Sequence, residues 1–118
     1  MARPFCTLLG IVLLGVGVWG LMTGAHAHEL VVFSINGNHN LVHLLSGALA
    51  IIAAFAGRGA AKTFCLVFGA IYGVVAVAGF VYIEAVVELL NLNTPDNLLH
   101  AAIAVACLVV GSMPERTA

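Results

Sequence analysis

Four long apolar stretches constrain this chain more than any other feature of its sequence. They cover residues of about 5–24, 39–57, 63–83 and 96–112. A helix needs roughly 20 mainly apolar residues, at about 1.5 Å rise each, to cross the hydrocarbon core of a bilayer. Because only short loops separate the stretches, successive helices are expected to be antiparallel neighbours. The sequence therefore predicts an all-α integral membrane four-helix bundle that forms one membrane domain over residues 1–118.

The composition excludes several other classes of protein. Of the 118 residues, 63% are hydrophobic and 8% are charged, whereas soluble domains average roughly 45–50% apolar and about 25% charged residues. Four Lys and Arg residues stand against five Asp and Glu residues, so no basic patch is available for nucleic acid. No charged residue falls at the centre of a span, which disfavours an ion-coupled transporter. No catalytic motif is visible either, so we do not expect an enzyme.

The cationic residues predict the orientation in the membrane. Arg3 precedes the first span, Arg58 and Lys62 lie between the second and third spans, and Arg116 follows the fourth. By the positive-inside rule, this side and both termini are cytoplasmic, here in a bacterial inner membrane. An alternative is that residues 1–27 are a cleaved secretory signal, ending in Ala25-His26-Ala27. The apolar run is long for a signal, which favours a retained first span.

The two halves of the chain resemble each other. Phe5-Cys6 is matched by Phe64-Cys65, and Asn40-Leu41-Val42-His43 is matched by Asn97-Leu98-Leu99-His100. Each half would then be a helical hairpin, and both halves would have the same orientation. Such a parallel repeat places a pseudo-two-fold axis along the membrane normal. We therefore expect two duplicated transmembrane hairpins.

Two Asn-x-x-His motifs are the main candidates for a site. Asn40 and His43 share one face of the second span, and Asn97 and His100 share one face of the fourth. Each histidine lies about six residues into its helix, roughly 9 Å from the helix start, where an imidazole needs a partner that lipid does not supply. Three interpretations stay open: an interhelical hydrogen-bond cluster, a haem b with His43 and His100 as axial ligands, or a small-molecule or ion site at the outer mouth.

Weaker signals lie around these motifs. His26, His28 and His39 could hold a divalent metal on the outer side, but two loop histidines and a neighbouring Glu29 are not a defined site, so no metal is predicted. The starts of the second and fourth spans are rich in Asn residues, and Thr94 followed by Pro95 predicts an N-cap and a first helical position. The three cysteines lie in apolar runs and are expected to pack as small hydrophobic residues.

These motifs carry a family resemblance. Residues 32–36 run into 39–47, and together with 96–100 they resemble an uncharacterised bacterial family of small four-helix membrane proteins, the domain of unknown function 4383. The resemblance covers nearly the whole chain and supports the four-span topology. It also singles out Asn40, His43, Asn97 and His100. Because the family has no assigned activity, the resemblance implies no mechanism.

The expected function is that of a small multi-pass inner-membrane protein with a non-enzymatic structural or interaction role. Its predicted partners are the lipid bilayer, other membrane proteins or a second copy of the chain. The leading expectation includes no cofactor. The alternatives are a haem b electron carrier and an outer-side protein that binds a small molecule or an ion.

Overall fold

A computed structural model of the chain describes residues 1–24, 26–31 and 33–114. Helix α1 (Ala2–Met22) is followed by a short antiparallel hairpin of β1 (His28–Leu30) and β2 (Phe33–Ile35) and then by α2 (Gly37–Ala56). Helix α3 (Arg58–Phe80), the two-turn helix α4 (Glu84–Leu90) and α5 (Thr94–Ser112) complete the fold. The prediction of a helical bundle is confirmed, whereas the hairpin and α4 were not predicted.

The four long helices are long and apolar enough to cross a membrane. Their outward faces carry large apolar side chains, among them Leu8, Ile52, Phe55, Val74 and Val105, each of which is more than half exposed. So extensive an apolar surface is suited to contact with lipid and rare on soluble monomers. The chain is therefore a multi-pass membrane protein.

The long helices pack as two pairs, α1 with α2 and α3 with α5. Small residues let the paired backbones approach closely. A Cβ atom added to Gly10 would lie 2.8 Å from the Gly47 carbonyl oxygen, and one added to Gly47 would lie 2.9 Å from the Gly10 carbonyl oxygen. No side chain larger than hydrogen therefore fits at this crossing without a shift of the helices.

Each helix pair also has a glycine that packs against an asparagine. A Cβ atom on Gly20 would lie 2.7 Å from Asn40 Cγ, and a Cβ atom on Gly79 would lie 2.6 Å from Asn97 Cγ. Both asparagine side chains therefore lie flat against the glycine backbone of the paired helix. These contacts fix the spacing of the two pairs beside the starts of α2 and α5.

Asparagine side chains hold together one end of the bundle, which we call the hairpin end: β1, β2, α4 and the starts of α2 and α5. Asn36 caps α2, because its Oδ1 accepts a hydrogen bond from the backbone N–H of His39 at 2.9 Å. Asn36 also donates to the Leu89 carbonyl at 2.9 Å, and Asn91 donates to the Ile35 carbonyl at 2.8 Å. The hairpin, α2 and α4 are thus tied to one another.

At the opposite end, the cationic end, basic side chains bind the last carbonyl groups of the paired helix. Arg3 Nε donates to the Ala54 carbonyl at 2.7 Å, and Lys62 Nζ donates to the Met113 carbonyl at 2.9 Å. Cations are favourable at helix C-termini, where backbone carbonyls lack partners. Arg58 begins α3 at the same end, whereas Arg116, and Ala25 of the cleavage motif, lie outside the described residues.

The observed helix ends differ from the predicted ones by up to five residues. The N-cap of α5 is Asn93 and not Thr94: Asn93 Oδ1 accepts from the Asp96 N–H at 2.9 Å, and Asp96 Oδ2 accepts from the Asn93 N–H at 3.0 Å. This reciprocal capping box satisfies two N–H groups. Helix α3 ends at Phe80 because Tyr82 adopts a left-handed conformation with φ of 58°.

The glycine–asparagine contacts yield a stability prediction. Gly20→Ala and Gly79→Ala should each lower the free energy of unfolding by about 1–3 kcal/mol, the usual cost of overpacking, because the new methyl group meets an immobile asparagine. Gly15→Ala is the matched control on α1, since a Cβ atom there has no neighbour within 4 Å. Helical circular dichroism during an SDS titration measures the difference. Coincident curves for Gly20→Ala and Gly15→Ala would contradict the assigned contact.

Candidate functional site

Three imidazole rings meet inside the bundle near the hairpin end. His39 and His43 come from α2 and His100 comes from α5, and their exposed fractions are 1%, 3% and 3%. The ring centroids of His39 and His43 are 4.5 Å apart, and that of His39 is 5.2 Å from that of His100. The centroids of His43 and His100 are 6.1 Å apart. We call these three residues the histidine cluster.

Helix geometry explains why these rings converge. His39 and His43 are four residues apart, so they project from the same face of α2. His43 and His100 each lie six residues after the first residue of their helix, and both helices begin at the hairpin end. The two asparagine caps therefore place the histidines of α2 and α5 at the same depth.

The ring nitrogens of the cluster have few hydrogen-bond partners. Among the described residues, neither nitrogen of His43 has a hydrogen-bond partner, and the Nδ1 of His100 has none either. The His39 ring lies against the backbone carbonyl groups of Ser34 and Leu90. Burial of a polar group without a partner costs roughly 1–3 kcal/mol by mutational measures. One nitrogen from each ring lies within 4.8 Å of the other two. The cluster therefore presents converging nitrogen ligands in a dry environment.

A buried carboxylate lies at the start of α5, at the same end of the bundle as the cluster. Asp96 is 1% exposed and is the one buried carboxylate within the described part of the chain. Its Oδ2 accepts hydrogen bonds from the backbone N–H groups of Ser34, at 3.1 Å, and Asn93, at 3.0 Å. Asp96 therefore joins strand β2 to the cap of α5, and it lines a cavity that His43 also lines.

Tyr72 borders the cluster on the α3 side. Its ring stands perpendicular to that of His100, with 5.6 Å between the centroids. The Tyr72 hydroxyl is buried, and the Ser46 side chain lies beside it. Tyr72, His39 and His100 line a narrow cleft of about 20 Å³. The side of the cluster that faces α3 is therefore almost closed.

Within each Asn-x-x-His motif, the histidine and the asparagine have different contacts. His43 and His100 meet in the cluster, whereas Asn40 and Asn97 lie against glycines of α1 and α3. Among the described residues, both polar atoms of the Asn40 side chain and the Asn97 Oδ1 have no hydrogen-bond partner. The predicted hydrogen-bond cluster of these four residues therefore stays a prediction.

The histidines grouped by sequence as outer-side metal candidates are also divided. His39 is buried inside the bundle. His26 lies before the hairpin and His28 is the first residue of β1, with ring centroids 4.5 Å apart. His28 Nε2 shares a 2.7 Å hydrogen bond with the Thr23 hydroxyl. Across the described residues, the group able to hold a metal is the histidine cluster, and it includes neither His26 nor His28. The sequence feature that indicates this cluster is the four-residue spacing of His39 and His43, which places both side chains on one face of α2.

The cysteines lie apart from the cluster, toward the cationic end of the bundle. Cys6, Cys65 and Cys107 are fully buried, and the Sγ atoms of Cys6 and Cys65 are 3.7 Å apart. They pack with alanines and Phe64 in the largest apolar core.

Fold and site together define a class: a small four-span helical membrane protein with a buried polar cluster near one end of the bundle. Within this class, the chain belongs to the family described as Domain of unknown function (DUF4383), whose family model matches residues 3–113. The resemblance that the sequence motifs indicated is thereby confirmed. Searches of the curated proteins and of the solved structures found no match.

Proposed function

We propose that this membrane protein binds one divalent transition-metal ion, Zn²⁺ or Cu²⁺, through His39, His43 and His100. The observation that carries the proposal is the convergence of three buried imidazole nitrogens within 4.8 Å of one another. It belongs to the ion-binding alternative of the sequence interpretation. An ion would supply the partner that these nitrogens lack inside the protein.

The ligand set suits this class of ion. Imidazole is a good ligand for zinc and copper, whereas calcium and magnesium prefer oxygen ligands. In a tetrahedral site with Zn–N bonds of about 2.0–2.1 Å, two ligand nitrogens lie about 3.3–3.4 Å apart. The three side chains must therefore rotate inward to close the site. Three protein ligands leave a fourth position open for water or another small ligand.

Asp96 favours a positive ion at this depth. A divalent cation among three neutral imidazoles would carry its full charge into a region of low dielectric, which is costly. The Asp96 carboxylate lines the same cavity as His43 and offsets part of that charge. We assign Asp96 a positioning and electrostatic role, because its Oδ2 is already bound to two backbone N–H groups.

The same geometry argues against haem b between His43 and His100. Two axial ligands bind iron from opposite faces of the porphyrin, so the macrocycle would have to extend outward between their rings. The His39 ring centroid lies closer to each of these rings than they lie to each other. The porphyrin would therefore overlap the His39 side chain, whereas a single ion uses that side chain as a ligand.

The predicted orientation in the membrane, the bacterial origin, the duplication of one hairpin and the predicted partners also form part of this proposal. Arg3, Arg58 and Lys62 share the cationic end, which the positive-inside rule assigns to the cytoplasm, so the cluster would lie in the outer leaflet of a bacterial inner membrane. Duplication of one hairpin is supported by the matching contacts of Gly20 with Asn40 and of Gly79 with Asn97. Lipids, other membrane proteins and a second copy of the chain remain the proposed partners.

Metal binding is tested by titrating the purified, chelator-treated protein with Zn²⁺ and with Cu²⁺. We expect one equivalent per chain by calorimetry and elemental analysis. His39→Ala, His43→Ala and His100→Ala should each weaken binding at least about tenfold, since even loss of an outer-shell partner costs 10–100-fold. An ion at 100 times its Kd should also add about 2.7 kcal/mol to stability. His26→Ala is the control, because His26 lies outside the cluster.

Three results would overturn this assignment. The first is a protein that binds neither ion after the chelator is removed, and the second is binding that is as tight in His43→Ala as in the unaltered chain. The third is binding that is lost in His26→Ala, which would locate the ion in the connection before the hairpin.

The orientation is tested with introduced cysteines, because the native thiols are fully buried. Glu88→Cys places a thiol on the exposed face of α4, and Gly59→Cys places one at the exposed start of α3. In intact cells, a membrane-impermeant maleimide should label Glu88→Cys and spare Gly59→Cys, which becomes reactive only after the membrane is opened. The reverse pattern would mean that the hairpin end faces the cytoplasm.

A further inference from the structure

We propose that α4 is the gate of the histidine cluster, through which the metal ion passes between the cluster and the water at the hairpin end. Opening moves α4 away from the start of α2, and closing restores the buried cluster. The inference rests on the proposed ion binding, to which it adds the route of the ion and the element that moves.

The histidine cluster needs an opening, because none of its rings reaches solvent. His39, His43 and His100 are each at most 3% exposed. The outward faces of the four long helices carry large apolar side chains, and a charged group passes through hydrocarbon only at great cost. Toward the cationic end, the bundle is filled by a core of alanines, cysteines and Phe64. The ion can therefore reach the cluster only through the hairpin end.

Helix α4 covers the cluster at this end. Its residues Val87 and Leu90 are three positions apart, share one face of the helix and are both buried. Leu90 lines the narrow cleft that His39 and His100 also line, and its backbone carbonyl group lies against the His39 ring. Displacement of α4 would therefore uncover two of the three ligands together.

Asparagine side chains hold α4 in this position. The Leu89 carbonyl accepts hydrogen bonds from Asn36 Nδ2 at 2.9 Å and from Asn38 Nδ2 at 3.2 Å, both at the protein surface. Asn91, the C-cap of α4, donates to the Ile35 carbonyl at 2.8 Å. Water can replace the partner of a surface amide group, so each such hydrogen bond contributes only modestly to the closed state. The contacts therefore keep α4 closed without making it immobile.

The backbone on both sides of α4 is suited to a hinge. Tyr82, just before α4, and Asn91, at its C-terminal end, adopt left-handed conformations with φ of 58° and 54°. A bulky residue such as Tyr82 holds this conformation only while surrounding contacts impose it. The Tyr82 side chain is 67% exposed, so the attachment of α4 imposes the conformation rather than packing of the ring. Release of α4 lets these two residues change their backbone angles, as hinge residues do.

The hairpin, the other element at this end, is less suited to the movement. Asp96 is 1% exposed, and its carboxylate joins Ser34 of β2 to the cap of α5. Moving β2 would leave this buried carboxylate without one of its donors, which costs more than the loss of a surface amide contact. The contacts of Asn36 and Asn38 with α4, in contrast, lie at the surface. The hairpin therefore stays in place while α4 moves.

The first test measures the release of Zn²⁺ from the loaded full chain, in lipid nanodiscs, into an excess of a chromogenic chelator. Asn38→Ala removes one contact of α4, and Asn91→Gly removes another while glycine keeps the left-handed conformation. Each variant should release the ion about threefold to tenfold faster, the factor expected for one hydrogen bond of ordinary strength. Binding should accelerate equally, so Kd changes little. Thr23→Ala is the matched control, because it removes an exposed hydrogen bond to His28 of the hairpin and none to α4.

The second test needs no ion, so it separates failure of the gate from failure of the metal proposal. In His39→Cys, with EDTA present, a positively charged methanethiosulfonate reagent can reach the introduced thiol only from water. We expect slow labelling that Asn38→Ala and Asn91→Gly accelerate by the same factor as ion release and that Thr23→Ala leaves unchanged. Such labelling in a chain that binds no ion would support the movement of α4 and refute only the metal.

Three results would contradict the gate. Labelling of His39→Cys as fast as that of Glu88→Cys, on the exposed face of α4, would mean that the cluster is open. Equal rates in the unaltered chain, Asn38→Ala and Asn91→Gly would mean that α4 does not control access. A larger increase in Thr23→Ala than in Asn38→Ala would assign the opening to the hairpin.

Discussion

Hydrocarbon offers no hydrogen-bond partner, and this property of the bilayer governs where each polar group of the chain lies. Backbone groups at the helix ends are satisfied by asparagine caps at the hairpin end and by Arg3 and Lys62 at the cationic end. The fold buries His39, His43 and His100, and it leaves both nitrogens of His43 and the Nδ1 of His100 without a partner among the described residues. The same constraint that orders the rest of the bundle is the reason we propose a bound ion at the histidine cluster.

Close packing within the helix pairs determines the shape of that site. Glycines bring α1 onto α2 and α3 onto α5, and Asn40 and Asn97 pack against two of these glycines. The two pairs then meet closely along α2 and α3 but leave a groove between α1 and α5. His43 belongs to both regions, since it is a member of the cluster and lines the groove.

Much of the fold could be predicted from the sequence, because hydrophobic length reports membrane spans directly. The site was predicted only in part. Asp96 stands in the second half where His39 stands in the first, so matching the two halves selects His43 and His100 and leaves His39 among the weak outer-side metal candidates. The roles of Asn40 and Asn97 depend on the facing glycines, which spacing along a single helix does not reveal. The hairpin and α4 were not predicted because they are too short to produce a periodic pattern. The expectation of a non-enzymatic protein stays a prediction.

The most direct test of the central claim, that His39, His43 and His100 act as one ligand set, is X-ray absorption at the zinc edge of the loaded protein. The account predicts three imidazole nitrogens at about 2.0–2.1 Å, and two after His39→Ala. A first shell made of oxygen, or a shell with the same number of imidazoles in the unaltered chain and in His39→Ala, would contradict it.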